Sequence, residues 1–317
     1  MKYLIFLLVI LSFALSGCKE FPDDLPKPSD NVPGKILLLD SLTQPDAKTG
    51  WWPDIATDDR GHVHAIYCDV YHGDLVYTFR GIDGVWNKER VDVPGAVGKY
   101  ASMAVSGAGE VHVAYYDQTQ KYLRYAKRSL DGVWTKSNVV WGLEVGMASE
   151  TVLDNRGNPH IFYYSPAGFL VHATPRANDA TKWDKHELAE ALGGFSARIS
   201  PIVVKDTIWI SYLDWNFSEI ELHLGKLPIA DPRKFTTEFI SKSNNPGWQS
   251  QLGFIDGEPQ ILATSSMTRH LYIHTKVQGV WQSKPFVKKA ISFEALTLNN
   301  KWIILYEDAD VPIGKSG

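Results

Sequence analysis

The stretch Gly109–Trp134, GEVHVAYYDQTQKYLRYAKRSLDGVW, decides the fold. Val111 to Tyr116 is a strand running into Tyr115-Tyr116-Asp117, and Lys121 to Lys127 is a second strand carrying Leu123-x-Tyr125. Asp131-Gly132 is a tight hairpin turn that feeds a further strand opening at Trp134. Upstream, Tyr100 to Val105 is turned back by Gly107-Ala108-Gly109. The unit therefore reads as four antiparallel strands.

The unit recurs. Its strand-end marker appears as Tyr67-Cys68-Asp69, Tyr115-Tyr116-Asp117, Tyr163-Tyr164-Ser165, Tyr212-Leu213-Asp214, Ala263-Thr264-Ser265 and Tyr306-Glu307-Asp308, with steps of 48, 48, 49, 51 and 43 residues. An aromatic that opens the last strand runs in phase: Trp86, Trp134, Trp183, Phe235, Trp281. Self-similarity at this period, built from short strands, predicts a β-propeller. Five units are complete between Gly50 and Val287, and Ile291 to Asp310 begins a sixth. The apolar run Ile36-Leu37-Leu38-Leu39 can supply the outer strand of that sixth unit. The expected architecture is all-β: a six-bladed propeller of four-stranded blades over 35–317, closed by strands from both termini, which removes exposed sheet edges. Val311–Gly317 lacks the Leu-x-Tyr pattern, so the third strand of the last blade stays open.

Residues 1–17 read as a signal segment. Lys2 precedes an apolar run from Tyr3 to Leu15 that is too short to span a bilayer, and Leu15-Ser16-Gly17-Cys18 follows. This box resembles the cleavage site of bacterial lipoproteins. The resemblance implies cleavage before Cys18, lipidation of Cys18 and a place in the bacterial cell envelope. Lys19 stands where an inner-membrane retention signal would carry aspartate, so the resemblance favours the outer membrane. Residues 18–34 form a proline-rich tether with Pro22, Pro26, Pro28 and Pro33, which is extended and builds no core.

A net charge of −4 offers no basic field, so nucleic acid is not an expected partner. With Cys18 lipidated, Cys68 has no disulfide partner, and its place in the repeat beside Tyr116 and Tyr164 puts it on a core strand. No phosphate-binding glycine loop and no recognisable calcium-ligand spacing occurs; no cofactor and no metal is assigned.

The pattern G-x-V-H-x-x-Y-x-D … L-x-Y-x … D-G-V-W, over about 50–310, resembles the repeats of bacterial sialidase-like propellers. The loop Ser129-Leu130-Asp131-Gly132-Val133-Trp134 is similar to their Asp-box, shorter and without its threonine. That box stabilises a turn and is not catalytic, so the resemblance implies fold, not activity.

Three in-phase histidines, His64, His112 and His160, sit in three blades and are expected to pack between blades. The opposite face carries the candidate site. There the residues opening each first strand, Trp52, Tyr100, Met147, Phe195 and Trp248, come beside Asp69, Asp117 and Asp214, which end second strands. The loop with Val70, Tyr71, His72 and Asp74 and the loop Trp215-Asn216-Phe217 rim that face, and Arg198 lies on an innermost strand. Aromatic rings stack on apolar sugar faces and carboxylates accept hydroxyl hydrogen bonds; the same residues suit a protein hot spot. The bland alternative is inter-blade packing for the aromatics and turn capping for the aspartates.

Sialidase chemistry needs an arginine triad, and Arg198 alone does not supply it. A general glycosidase needs two carboxylates; Asp54, Glu150 and Glu294 fall on innermost strands, and Asp54 with Glu294 is the expected pair if the protein is an enzyme. The reading from sequence is a lipid-anchored envelope protein that binds a glycan or a protein partner without turnover. The alternatives are a carbohydrate-active hydrolase and a scaffold subunit of an envelope complex.

Overall fold

The computed structural model describes residues 51–142, 145–192, 197–215, 219–242, 246–288 and 290–308. Within them the chain lays down six sheets in succession, each a simple antiparallel meander. The first sheet holds β1 (Trp51–Thr57), β2 (Val63–Asp69), β3 (Asp74–Arg80) and β4 (Trp86–Asp92); the second holds β5 (Val97–Val105), β6 (Val111–Asp117), β7 (Tyr122–Arg128) and β8 (Trp134–Val140). The third comprises β9 (Glu150–Leu153), β10 (Pro159–Tyr164), β11 (Phe169–Arg176) and β12 (Asp179–Glu190). The fourth comprises β13 (Ser200–Val204), β14 (Thr207–Trp215), β15 (Ile220–Pro228) and β16 (Thr236–Ser241). The fifth is β17 (Pro246–Ile255), β18 (Glu258–Ser265), β19 (Leu271–Val277) and β20 (Val280–Val287), and the sixth has β21 (Ala290–Leu298) and β22 (Lys301–Asp308).

The repeat read from the sequence thus maps sheet for sheet. Gly84 at φ 78°, Gly132 at φ 85° and Gly257 at φ 80° make Asp-Gly hairpin turns, a left-handed conformation that favours glycine. The strand expected to start at Tyr100 starts at Val97, because bulges around Lys99 and Ser102 let it run on past an irregular register. Ile36–Leu39 and Val311–Gly317 lie outside the described residues.

Burial follows position within a sheet. Every residue of β6 is buried, since neighbouring sheets cover both of its faces, whereas the outer strand β4 is buried only at its last two residues, Val91 and Asp92. The core lies between sheets. Ile66, Leu75 and Tyr77 of the first sheet pack with Val111, Val113 and Tyr115 of the second, and Leu262 and Leu271 of the fifth pack with Phe293 of the sixth. Each such side chain contributes about 1.5–3 kcal/mol when fully buried.

The innermost strands are clasped in series. An acceptor on one sheet takes a backbone N–H of the next: Asp54 Oδ2 from Met103 at 2.7 Å, Ser102 Oγ from Thr151 at 2.9 Å, Ser200 Oγ from Leu252 at 3.0 Å and Gln249 Oε1 from Phe293 at 3.1 Å. The inner strands therefore run side by side in the same direction. One end of the assembly, the entry face, collects the starts of first and third strands and the ends of second and fourth strands. The other end collects the tight hairpins.

Candidate functional site

Two successive inner strands enter with bulky residues in left-handed backbone: Trp52 at φ 47° and Tyr100 at φ 52°. Such strain costs about 1–3 kcal/mol per residue and collects at functional sites. The rings lie 5.0 Å apart at 46°, the Lys99 ammonium stands 5.3 Å from the Trp52 ring, and Tyr116 extends the cluster 6.4 Å from Tyr100. In the third sheet the equivalent left-handed position is Ala148, not Met147, so the aromatic series is interrupted there. Phe195 lies outside the described residues. Trp248 falls on β17, with its side chain outside the description.

Exposed aromatics mark one face. Among the described residues, the exposed large aromatics are Tyr71, Trp141, Trp215, Phe239, Phe286 and Tyr306, and all six lie toward the entry face. The exposed large hydrophobics at the hairpin tips of the other face are aliphatic, such as Ile82, Val85, Leu130 and Val133, while exposed Val70, Val93 and Met267 stand on the entry face as well. Trp141 is further organised by an edge contact with Tyr122, 5.2 Å between centroids.

The aspartates of this face are turned inward. Asp69 is buried, takes the backbone N–H groups of Tyr71 and His72, and meets His72 Nδ1 at 2.7 Å. Burial pushes its carboxyl up, but those hydrogen bonds prevail and hold it below the usual range. Asp117 is buried too, accepting from Gln120 N at 2.9 Å and Arg124 Nη1 at 3.3 Å. Ser165 and Ser265 cap the matching turns of other sheets with their hydroxyls. Asp214 accepts from Leu192 N at 2.9 Å. The strand-end carboxylates are thus turn caps or clasps that shape the face, while half-exposed His72 reaches its surface.

A second cluster forms where inner strands converge. Arg198, just ahead of β13, donates to Glu294 of β21 at 2.6 Å and approaches Glu150 of β9 at 3.8 Å. Ser102 Oγ donates to Glu150 at 3.2 Å. Asp54 is close enough to feel both Arg198 and Glu294, but its oxygens accept the Met103 and Ile55 N–H groups at 2.7 Å each. Burial pushes Asp54 up to about 6 against those bonds. Burial likewise pushes Glu150 up to about 8; Arg198 opposes and Asp54 adds to the rise. Glu150 keeps 26% of its side chain open to solvent, yet the protein crowding around it dominates its titration.

The buried histidines hydrogen-bond within their own sheets. His64 Nδ1 meets the Tyr77 hydroxyl at 2.7 Å, His112 Nδ1 meets Tyr125 at 2.6 Å, and His160 Nδ1 meets His172 at 2.8 Å, each partner on the next strand of the same sheet. Each partner is the diagonal neighbour, two residues from the one directly opposite and on the same face of the sheet. Cys68 is buried, as its repeat position implies, with its thiol pushed up to about 11 by burial.

The seams between sheets hold a feature that the sequence reading missed. Glu89 of β4 takes a bidentate pair from Arg128 of β7 at 3.0 and 2.7 Å and the Trp134 indole N–H at 2.7 Å. The arrangement recurs where Glu238 of β16 meets Lys276 of β19 at 2.6 Å, with that ammonium 5.8 Å from the Trp281 ring.

No protein-family model and no curated protein matches the sequence. Solved structures do match. The SapL1 lectin in complex with α-methyl fucoside aligns with TM-score 0.54 at 13% identity, over 81% of this chain and 88% of that one. The chain folds as a β-propeller. Aleuria aurantia lectin in complex with Fucα1-6GlcNAc aligns with TM-score 0.52 at 14% identity, over 81% and 88%; that lectin is a six-bladed propeller. A prolyl endopeptidase aligns with TM-score 0.52 at 13% identity over 83% of this chain but 39% of its own. At such identities the propeller likeness speaks for fold alone, and it spans lectin and enzyme.

Proposed function

We propose that this propeller is a glycan-binding protein without catalysis, held on the bacterial cell envelope by lipid at Cys18, its six blades closed into a ring by the N-terminal strand. The observation that carries the reading is that, among the described residues, the exposed large aromatics all lie toward the entry face. Around the strained Trp52–Tyr100 pair, rings can stack on a sugar while Lys99 and His72 offer donors to hydroxyls. The lectin neighbours, crystallised with fucosides, support the same class of ligand. The test is a glycan array probed with the Cys18→Ser chain and its Trp52→Ala and Tyr100→Ala variants. Saturable binding that both variants lose supports the reading; binding untouched by either refutes this face as the site. A blank array moves the proposal to an envelope protein partner, including a scaffold role.

A hydrolase is the second reading, favoured by the convergence of Asp54, Glu150 and Glu294 around Arg198. Glu150, held protonated near neutral pH by burial, is the general acid in that case, an addition to the expected Asp54–Glu294 pair. Turnover of a bound glycan that Glu150→Gln abolishes, with the fold intact, supports it.

A further inference from the structure

The fourth sheet gathers ligating side chains that their sequence spacing does not advertise. Asp214 stands directly opposite Glu221 in the β14–β15 ladder. His223, two residues beyond Glu221, points to the same side of the sheet. Ligand atoms of all three side chains lie within 4.8 Å of one another.

Like charges directly opposite each other destabilise a strand pair. Elsewhere on the entry face the facing carboxylates have an arginine beside them. Arg90 meets Asp74 at 3.2 Å, which supplies the Asp69–Asp74 cross-strand pair with a positive charge. Arg124 reaches Asp117 at 3.3 Å. In the fourth sheet, among the described residues, Asp214 and Glu221 have no lysine or arginine partner. Glu221 meets His223 Nε2 at 3.2 Å, and Lys242, which senses Glu221, is paired with Glu219 at 2.9 Å. The two facing carboxylates are short of positive charge.

The imidazole is held in place. It stacks on Tyr212 with centroids 5.2 Å apart and 17° between planes, and meets the Phe239 edge at 5.8 Å. A fixed nitrogen beside two carboxylates is a donor set for a borderline metal ion.

We infer that Asp214, Glu221 and His223 form a binding site for a divalent transition-metal cation, with zinc the best fit. Two carboxylate oxygens and one imidazole nitrogen supply three of the four positions zinc prefers, leaving one for water or a ligand hydroxyl. Calcium takes oxygen ligands, so the imidazole discriminates against it. The three ligands stand at the end of β14 and the start of β15, at the entry-face end of the fourth sheet. His223 Nδ1 is buried without a partner, so the site lacks the outer-shell acceptor that strengthens zinc ligation, and micromolar affinity is expected. No metal was expected from the sequence, because the ligands are brought together by strand pairing and not by a loop.

The inference needs no glycan and is tested without one. The Cys18→Ser chain, stripped with EDTA and desalted, is titrated with zinc chloride at pH 7 in a calorimeter, and calcium chloride serves as the comparison. The expected result is one zinc per chain, no calcium heat, and affinity weakened at least about tenfold in Asp214→Asn, Glu221→Gln and His223→Ala. Absence of zinc binding, or zinc binding unchanged in Glu221→Gln, overturns the site. Glu221→Gln is the deciding variant, because His223→Ala also removes the stack on Tyr212 and can disturb the fold. A glycan-array blank leaves this result standing, and a zinc failure leaves the glycan reading standing.

Discussion

Arg198 Nη1 donates to Glu294 Oε1 at 2.6 Å, tying the fourth sheet to the sixth where the inner strands converge. The same guanidinium faces Glu150 at 3.8 Å and lowers the cost of keeping three acids together. Removing it leaves Asp54, Glu150 and Glu294 with no arginine between them. Arg198→Met is expected to lower the melting temperature at pH 8 by several degrees and to recover part of it at pH 5, where the acids protonate. Equal losses at both pH values would show that Arg198 acts by packing alone.

Glu150 sets a slope of its own. Its folded-state value of about 8 lies above the ordinary 4.5, so between those values the folded chain holds a proton that the unfolded chain has lost. Its contribution to stability is complete below about 4.5 and declines as pH rises through 8. Glu150→Gln is expected to flatten that decline, measured as urea midpoints from pH 5 to 9 at constant ionic strength. An unchanged slope would mean that Glu150 is ionised in the fold.

The buried histidines act in the opposite direction. Burial holds His64, His112 and His274 down at about 4, below the ordinary 6.5, so the unfolded chain binds protons first as acid is added. Their contribution is complete above 6.5 and is lost as pH falls toward 4. His112→Gln, which keeps a polar partner for the Tyr125 hydroxyl, is expected to make the acid-side fall shallower. Nuclear magnetic resonance titration showing His112 protonated at pH 6 would contradict this.

Most of the architecture was legible because the chain repeats itself. The markers around Asp69, Asp117 and Ser165 fall 48 residues apart, and a period that regular can only be a stacked unit. The function of individual side chains was less legible. An aspartate ending a strand reads the same whether it faces solvent or caps its own turn, and Asp69 and Asp117 do the latter. Met147 was placed in the aromatic series by its apolar side chain, yet counting 48 from Tyr100 leads to Ala148, the residue that holds the left-handed backbone. The seam of Glu89, Arg128 and Trp134 joins residues 39 and 45 positions apart, so only the packing of neighbouring sheets exposes it. The signal was present in outline, since Glu238, Lys276 and Trp281 repeat the same types at the same strand positions.

That seam predicts its own mutational pattern. Glu89→Ala strands the Arg128 guanidinium and the Trp134 indole N–H together and is expected to cost about 1–3 kcal/mol. Glu89→Gln keeps an acceptor for the indole and should cost less. Chemical denaturation of the two variants checks the order; equal stability of Glu89→Ala and the parent would show that the seam is a solvated ion pair.

The thiol of Cys68 offers a probe of integrity. Buried and pushed up to about 11, it is expected to resist alkylation at pH 8 in the folded chain and to react fully in denaturant. Rapid labelling of the native Cys18→Ser chain would mean that β2 opens more readily than its packing implies.

The central claim is that the entry face holds a sugar. Its most direct test is titration of the glycan class found on the array into the Cys18→Ser chain, following tryptophan fluorescence, with Trp52→Ala run alongside. The account predicts a saturable fluorescence change in the parent and at least about tenfold weaker binding in the variant, the loss of a single stacking platform being worth upwards of about 1.4 kcal/mol. Equal affinity of parent and Trp52→Ala would contradict it.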